Sequence, residues 1–403
     1  MEMYVCAFRG RRDSYQVPLA LAEGGLLDQF ITDFYAVPWI RMAASLGPEA
    51  LRTKIDLRSE PGIPVTRVRC LWGSTIFEHF RHRIGCSPLL TFNKFDCYFS
   101  QAAARRAARA QSHLFLYSPY AWEAFTAGYR HTPRKVLFQY HPYAELQERI
   151  LACDSRRYPN VGESFSDTSS RPLPKKLARR EMDSWKRADL ILCASDFTRR
   201  SLLEAGADER ICRVIPYGVE ITSTTRTNSR AGTFHALFVG SGNQRKGLHH
   251  LLSAWKQATL PSTSKLTLVC RMIDHEIERM ARETPGVELV RGMTQDQLNV
   301  SYANGSLLVM PSLVEGFGQV YLEALAHGCP VLGTPNTCLP DLGGEQDGIF
   351  LVTPGDVDEL TEKLERLSGI VVSAYDLRRA ARACAERFTW PLFREGIRQA
   401  LQN

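Results

Sequence analysis

Two glutamates, Glu315 and Glu323, flank a glycine-rich turn in the segment PSLVEGFGQVYLEALAHGCPV, residues 311–331. The run LLVMPS predicts a buried strand, and QVYLEALAHG predicts a helix that ends at Gly328. Free N–H groups at the start of such a helix, which glycines make approachable, can bind a phosphate. A carboxylate one turn into the helix can accept hydrogen bonds from a ribose diol. The order of these groups predicts a sugar nucleotide as ligand, with Glu323 on the ribose and Glu315 on hydroxyls farther along.

Several residues of this segment are candidate donor-binding residues under that interpretation: Gly316, Phe317, Gly318, Gln319, Val320 and Glu323. The alternative is purely structural, because acids near a helix N-terminus stabilise the helix through its dipole. The glycines and the preceding strand favour the ligand-binding interpretation.

A second succession of strand, glycine turn and helix lies in ALFVGSGNQRKGLHHLLSAW, residues 236–255. Its spacing matches neither the dinucleotide GxGxxG motif nor a P-loop. Arg245 and Lys246 place two positive charges at the turn, where a departing diphosphate needs neutralising. The candidate donor contacts of the turn itself are Gly240, Ser241 and Gly242. The alternative is a solvated basic pair at the start of a helix.

His141 ends the predicted strand KVLFQYH and precedes Pro142. Side chains at the carboxyl ends of parallel strands gather at the ligand-binding edge of a sheet, and histidine titrates near neutral pH. We therefore expect His141 in the active site. The alternative is a structural or solvated histidine.

Short β-branched and aromatic runs alternate with helical patterns along the 403 residues, which predicts parallel sheets with crossover helices. Residues 1–220 are expected to form an N-terminal acceptor-side Rossmann-like domain, 221–233 a linker, and 234–386 a C-terminal nucleotide-sugar-binding Rossmann-like domain. Residues 387–403 are expected to form a helix that packs back on the N-terminal domain. A polar stretch at 153–176 predicts a mobile loop.

The composition is that of a globular protein, with 44% hydrophobic and 23% charged residues. No apolar run approaches the roughly 18 residues that span a bilayer, and the N-terminus becomes polar too early for a signal peptide. The 11 cysteines are scattered and never form a CxxC pair, which is typical of reduced thiols rather than of disulfides or zinc. We expect a cytoplasmic protein with no cofactor and no nucleic-acid partner.

Positive charge is concentrated in the first half of the chain. Residues 1–200 carry 30 Lys and Arg against 20 Asp and Glu, whereas residues 201–403 carry 20 against 23. Basic residues interleaved with apolar ones are typical of a face that rests on anionic lipid without spanning it. The candidate residues of this membrane face are Arg81, Arg83, Arg105, Arg106 and Arg109. The alternative is a solvated surface and a soluble acceptor.

Three motifs occur together: EGFGxxxxEAxxxGxPV, xVGxxxxxKG, and ADLILCASDFTRRSLLEAGADERICRVIPYGVE at 188–220. They resemble the retaining GT-B glycosyltransferases of family 4, with the glycosyl transferases group 1 domain. The similarity runs from about residue 135 to 390. It implies an α/β GT-B fold, in which two Rossmann-like domains face each other across a cleft. It also implies transfer of a hexose-type sugar from a UDP- or GDP-sugar to a glycan or lipid-linked acceptor, in bacterial polysaccharide or glycolipid synthesis.

The resemblance implies a role for each candidate residue. Glu315 would hold the sugar hydroxyls and Glu323 the ribose, while Lys246 would bind the diphosphate. His141 would lie near the donor sugar and diphosphate.

Two positions depart from the pattern of the family. Many members carry arginine where this chain has Ser241, so we expect Arg245 to supply that charge. The glycine pair that often approaches the donor is replaced by FRGRR at residues 8–12, which leaves Gly10 as the candidate on the acceptor side.

The mechanism that the resemblance implies is a same-face substitution, because family members generally lack the nucleophilic carboxylate that double displacement requires. No metal is expected, since the one Asp-x-Asp sequence, Asp356 to Asp358, begins a predicted helix that an aspartate would cap. Two alternatives remain: a sugar-nucleotide epimerase of GT-B fold, and a non-catalytic sugar-nucleotide sensor, which only Ser241 encourages.

Overall fold

The computed structural model describes residues 2–73, 88–162, 180, 183–222, 233–372 and 375–402. Within these ranges the chain forms two α/β domains, and each domain is built on one parallel β-sheet. None of the helices in these ranges is long and apolar enough to cross a membrane.

The first domain contains a sheet of seven parallel strands. They are β1 (Tyr4–Ala7), β2 (Leu27–Thr32), β3 (Val68–Cys70), β4 (His113–Tyr117), β5 (Lys135–Gln139), β6 (Leu190–Cys193) and β7 (Cys212–Val214). Their order across the sheet is β3-β2-β1-β4-β5-β6-β7. The strand order reverses between β1 and β4, and this is where an open α/β sheet forms a crevice beyond the carboxyl ends of its strands.

The second domain repeats this topology with six parallel strands. They are β8 (His235–Val239), β9 (Lys265–Val269), β10 (Val287–Val290), β11 (Leu307–Met310), β12 (Val331–Gly333) and β13 (Ile349–Leu351). Their order is β10-β9-β8-β11-β12-β13. The reversal therefore lies between β8 and β11, the two strands that precede the glycine-rich turns.

Helices connect the strands in both domains. The described helices are α1 (Gln16–Glu23), α2 (Pro38–Ser45), α3 (Glu49–Asp56), α4 (Pro88–Ala110), α5 (Trp122–Thr126), α6 (Ala144–Ser155), α7 (Asp196–Glu204), α8 (Leu248–Gln257), α9 (His275–Arg282), α10 (Gln295–Asn304), α11 (Gln319–Ala326), α12 (Leu339–Leu342), α13 (Val357–Ile370), α14 (Tyr375–Glu386) and α15 (Trp390–Gln402).

Helix α15 returns from the second domain and packs on the first. Arg394 and Arg398 both form ion pairs with Glu23 at the end of α1. The ring of Phe393 is buried, with its centroid 6.0 Å from that of Phe138 on β5. The first domain is therefore built from the two ends of the described chain.

The predicted α/β fold is confirmed, because each of the thirteen predicted hydrophobic runs overlaps one of the thirteen described strands. The prediction of a mobile loop at 153–176 was wrong for its first three residues. Cys153, Asp154 and Ser155 complete helix α6, because Asp154 is buried against the second domain. Residues 163–176 of that loop and residues 223–232 of the predicted linker lie outside the described residues.

Candidate active site

A buried ion triad stands at the carboxyl ends of β8 and β11. One carboxylate oxygen of Glu315 accepts a hydrogen bond from Nη1 of Arg245 at 2.7 Å and forms a second ion pair with Nζ of Lys246. Glu315 and Arg245 are both buried. The structure thus brings together three residues that the sequence predicted in one site, with two positive charges around one negative charge.

The turn after β8 fixes the two cations. The side chain of Asn243 accepts a hydrogen bond from the backbone N–H of Lys246 at 3.1 Å. Gly247 has a φ of +67° and lies against the backbone of Pro311, where a side chain would overlap it. The backbone carbonyl of Arg245 accepts from the N–H of Leu313 at 2.9 Å, which ties this turn to the turn after β11.

The charges of the triad outweigh the effect of burial on Glu315. Burial raises the pKa of this carboxyl, but Arg245 and Lys246 hold it well below its usual range. Glu315 is therefore ionised at neutral pH.

His141 lies beside the triad on the first domain, immediately after β5. Burial and the charge of Arg245 lower the pKa of His141 to about 3. Its imidazole is neutral at physiological pH, so it can act by hydrogen bonding rather than as a cation.

The glycine turn before α11 is pressed against the first domain. A Cβ on Gly316 would overlap the backbone carbonyl of Tyr140. The carbonyl of Gly316 accepts hydrogen bonds from Oγ of Ser195, at 2.5 Å, and from Oγ1 of Thr198, at 3.2 Å. The donor turn of the second domain is thus held at the start of α7 in the first.

Glu323 lies in the second turn of α11, half-buried, and accepts a hydrogen bond from the hydroxyl of Tyr302 at 3.2 Å. Burial raises the pKa of this carboxyl. Glu323 and Glu315 thus have opposite pKa shifts, because Glu315 has two cationic partners and Glu323 has a neutral one.

The remaining residues of this turn are divided between the cleft and the domain junction. Phe317 is buried, with its ring centroid 5.2 Å from that of Tyr217. Nε2 of Gln319 donates to the carbonyl of Gly218 at 2.6 Å. Gly318, with a φ of +88°, precedes α11, and Val320 lies in its first turn, half-buried. Phe317 and Gln319 therefore also hold the chain that connects the domains.

The glycines of the other candidate segments are explained by packing or conformation. Gly242 lies against the side chain of Ile273, and Gly240 and Gly10 have φ values of +153° and +75°. The N–H of Gly10 donates to Asp33 at 3.0 Å. Ser241, between Gly240 and Gly242 in the chain, is half-buried.

The predicted membrane face needs a correction at Arg106. This residue donates from Nε to Asp28 at 2.8 Å and is half-buried, so its charge is already paired. Arg105 and Arg109 are exposed. Arg81 and Arg83 lie outside the described residues.

Sequence reasoning missed a polar cluster between the domains. Asp154 on α6 accepts hydrogen bonds from Nε2 of His249 at 3.1 Å and from Nε2 of His250 at 2.7 Å, both on α8. All three side chains are buried, and the ring of Tyr158 stands edge-on to both imidazoles. The only sequence signal of this cluster was the pair His249-His250 at the start of α8.

This cluster is the one group in the described part of the chain with three potential metal ligands close together. Nδ1 of both His249 and His250 is buried without a partner. Metal ligation through Nε2 would place a proton on each Nδ1 with nothing to accept it, whereas ligating histidines usually donate that proton. Hydrogen bonding from both Nε2–H groups to Asp154 fits the surroundings better.

The Asp-x-Asp sequence lies at the start of α13. Asp356 caps this helix by accepting a hydrogen bond from the backbone N–H of Glu359.

Comparison with known proteins agrees with this geometry. Residues 233–369 match the family model described as Glycosyl transferases group 1. The chain is 30% identical over 186 residues to the MMP alpha-(1->4)-mannosyltransferase of Mycolicibacterium hassiacum, a match that covers 44% of each protein. It is 26% identical over 248 residues to the serotype-specific mannosyltransferase WbdA of Escherichia coli, which covers 55% of this chain and 30% of WbdA. The chain thus spans less than half the length of these two relatives.

Among solved structures, the sucrose-phosphate synthase from Thermosynechococcus elongatus has the same fold. Its TM-score is 0.70 at 18% identity, and the superposition covers 100% of this chain and 98% of that one. The expected GT-B architecture of two Rossmann-like domains is confirmed.

Proposed function

We propose that this chain, whose residues 233–369 belong to the family of glycosyl transferases group 1, is a retaining glycosyltransferase. It moves a hexose-type sugar from a nucleotide-sugar donor to a hydroxyl of a glycan or lipid-linked acceptor. The observation that carries this proposal is the buried triad of Glu315, Arg245 and Lys246 beside His141, at the edge where the two sheets meet.

Arg245 and Lys246 stabilise the departing diphosphate. Hydrogen bonds fix the backbone of both residues, and Glu315 holds their charged groups, so the two cations need little reorganisation when negative charge develops. In the absence of donor Glu315 neutralises one of the two charges, and the surplus positive charge attracts the diphosphate. One carboxylate oxygen of Glu315 keeps both ion pairs, which leaves the second oxygen for the hydroxyls of the sugar, and Glu323 for the ribose.

The position of Glu315 supports a same-face substitution. A nucleophile for double displacement must be a carboxylate beneath the reacting sugar, with a second acid about 5 Å away. The carboxylate of Glu315 is engaged by two cations instead. In the proposed mechanism the departing phosphate helps to deprotonate the acceptor hydroxyl, and neutral His141 offers a hydrogen bond near the reacting centre. No metal takes part.

The two mannosyltransferases among the relatives favour mannose or a similar hexose as the transferred sugar and bacterial polysaccharide or glycolipid synthesis as the process. A lipid-linked acceptor requires contact with the membrane surface at the cytoplasmic side. Exposed Trp39 and Met42 on α2, together with Leu46, offer apolar side chains for that contact. Exposed Arg105 and Arg109 offer charge for anionic lipid.

A ligand screen tests the proposal. We expect a UDP- or GDP-sugar to raise the unfolding midpoint, because ligands of the native state stabilise it by mass action. The bound donor is then incubated with the protein alone and with lipid-linked or soluble glycan acceptors. Transfer of the sugar supports the proposal. Isomerised donor would indicate an epimerase, and donor binding without turnover on any acceptor would indicate a sensor.

A further inference from the structure

Arg12 follows β1 in the first domain, and its guanidinium is enclosed by tyrosine rings. Its Cζ atom lies 4.3 Å from the ring centroid of Tyr140, 5.2 Å from that of Tyr117 and 5.8 Å from that of Tyr120. Aromatic faces attract a cation and restrict its rotation. The guanidinium is therefore held in one position beside the residue that precedes His141.

Arg12 forms no ion pair among the described residues, and its Nε is buried without a hydrogen bond. The carboxylate of adjacent Asp13 acts on its charge through space, without a hydrogen bond to it. Neighbouring Asp13 accepts instead from the hydroxyls of Tyr117 at 2.7 Å and Tyr217 at 3.0 Å. Other partly buried arginines of this domain do form ion pairs: Arg58 with Asp33, Arg106 with Asp28 and Arg180 with Glu123. Since a buried charge is costly unless it is paired, Arg12 lacks a partner that a ligand can supply.

The backbone after Arg12 is strained. Asp13, Ser14 and Tyr15 are three consecutive residues with φ values of +46°, +49° and +64°, in the left-handed region that favours glycine. Such conformations are unfavourable for L-residues and persist where the surrounding structure enforces them, often at ligand sites. Here the hydrogen bonds of Asp13 and the buried ring of Tyr15 enforce the turn. The turn fixes the backbone on the C-terminal side of Arg12.

Arg12 stands on the first-domain side of the same cleft that Arg245 and Lys246 enter from the second domain. Tyr140 links the two sides, because its ring lies under Arg12 and its backbone carbonyl touches Gly316. Burial lowers the pKa of His141, and the positive charges of Arg245, Arg12 and Lys246 all lower it further. The charges of three cations from two domains thus all act on His141, together with the opposing charge of the Glu315 carboxylate.

We propose that Arg12 is a phosphate-binding residue, which holds a phosphate oxyanion from the first-domain wall of the cleft, opposite Arg245 and Lys246. This inference rests on the proposed function. The phosphate belongs either to the diphosphate of the donor or to a phosphate on the acceptor, and the guanidinium supplies the hydrogen-bond donors that either one needs.

The test compares Arg12→Gln and Arg12→Lys with the matched control Arg11→Gln, which removes an exposed charge from the neighbouring position. Thermal unfolding without ligand first establishes that each variant is folded. Isothermal titration then measures the affinity for UDP, GDP and ADP. Glucose 6-phosphate, a phosphate monoester, is titrated in the presence of the nucleoside diphosphate that binds best.

If the donor is the source, Arg12→Gln binds the nucleoside diphosphate at least 10-fold more weakly than wild type, Arg12→Lys recovers part of the affinity and Arg11→Gln is unchanged. If the acceptor is the source, the diphosphate binds normally and glucose 6-phosphate binding falls at least 10-fold. Unchanged diphosphate affinity in Arg12→Gln together with no Arg12-dependent binding of glucose 6-phosphate overturns the inference. A wild-type protein that binds no nucleoside diphosphate contradicts the proposed function instead.

Discussion

The Cα of Gly316 in the second domain rests against the backbone carbonyl of Tyr140 in the first, with no room for a methyl group between them. The Gly316 carbonyl is held by Ser195 and Thr198 of the first domain. The segment that carries Glu315 therefore has a fixed distance from the wall that carries His141 and Arg12. Any side chain at position 316 changes that distance.

Gly316→Ala should lower turnover by about 10²-fold, because displacement of catalytic groups by roughly 1 Å can have an effect of that size. Its Cβ meets backbone, which cannot rotate away as a side chain would. Donor affinity should change much less, since Glu323, the proposed ribose ligand, lies in the second domain and does not depend on the contact with the first. Steady-state kinetics measure both, and Gly369→Ala is the control, because open space surrounds that helical glycine. Wild-type turnover in Gly316→Ala would show that the close contact has no catalytic role.

Glu323→Ala should weaken donor binding by roughly 1 to 3 kcal/mol, because the ribose hydroxyls lose their acceptor inside a half-buried site. Calorimetric titration measures the loss. Tyr302→Phe, which removes the hydrogen bond to Glu323 and keeps the carboxylate, should cost less. Since burial raises the pKa of Glu323, donor binding should weaken on acidification at a higher pH than an ordinary glutamate would predict. Unaltered affinity in Glu323→Ala would remove the residue from the donor site.

Lys246→Ala should reduce turnover by about 10²-fold or more, as loss of a contact to developing charge can do. Exposed Lys256 lies in the adjoining helix, so Lys256→Ala controls for the loss of a positive charge. EDTA should leave the wild-type rate intact. A strong dependence on added metal would redirect attention to Asp356 and Asp358.

His249→Gln should make stability less dependent on pH. Burial lowers the pKa of His249 in the folded protein. As the pH falls below about 6.5, the unfolded chain therefore binds a proton at His249 that the folded protein does not bind, and the free energy of unfolding decreases. A group that binds a proton only in the unfolded chain changes the free energy of unfolding by at most about 1.4 kcal/mol per pH unit. Urea unfolding at pH 7.5 and 5.5 measures the difference, and His275→Gln, at an exposed position of α9, is the control. Equal pH dependence in wild type and His249→Gln would contradict the argument.

Binding to anionic vesicles tests the membrane proposal. The wild-type protein should float with vesicles rich in phosphatidylserine at low salt and be released at high salt, because surface charges are screened. Reversal of Arg105 and Arg109 to Glu, or replacement of Trp39 and Met42 by Ser, should reduce flotation several-fold.

Matched changes in the second domain serve as controls for that experiment: Lys256 and Lys265 to Glu, and Met272 and Val300 to Ser. All four control side chains are exposed. If the wild-type protein stays in the soluble fraction at low salt, the membrane proposal is contradicted and the soluble-acceptor alternative is favoured.

The sequence predicted the strands well because most of them are short apolar runs buried in their own domain. Glu315, Arg245 and Lys246 were found for a related reason, since each follows a strand and the carboxyl ends of parallel strands converge. Contacts between domains left no comparable signal. Asp154 is 95 positions from His249, and its burial depends on how α6 meets α8.

The surroundings of two arginines could not be predicted from the sequence either. Arg106 was predicted on an exposed basic face, but helix geometry turns it toward Asp28. Arg12 was overlooked beside Gly10, because its tyrosine neighbours come from distant parts of the chain and the left-handed turn after it consists of residues that rarely adopt this conformation.

The return of α15 to the first domain determines the order in which the molecule can be completed during synthesis. Arg394 leaves the ribosome 371 positions after its partner Glu23, an interval of roughly 20 to 70 s at usual elongation rates. Throughout that time the surface of α1 that receives α15 is uncovered. All six strands of the second domain emerge before α15 does. The second sheet can thus close while the first domain still lacks α15, and the cleft between the two domains becomes complete only after α15 has emerged.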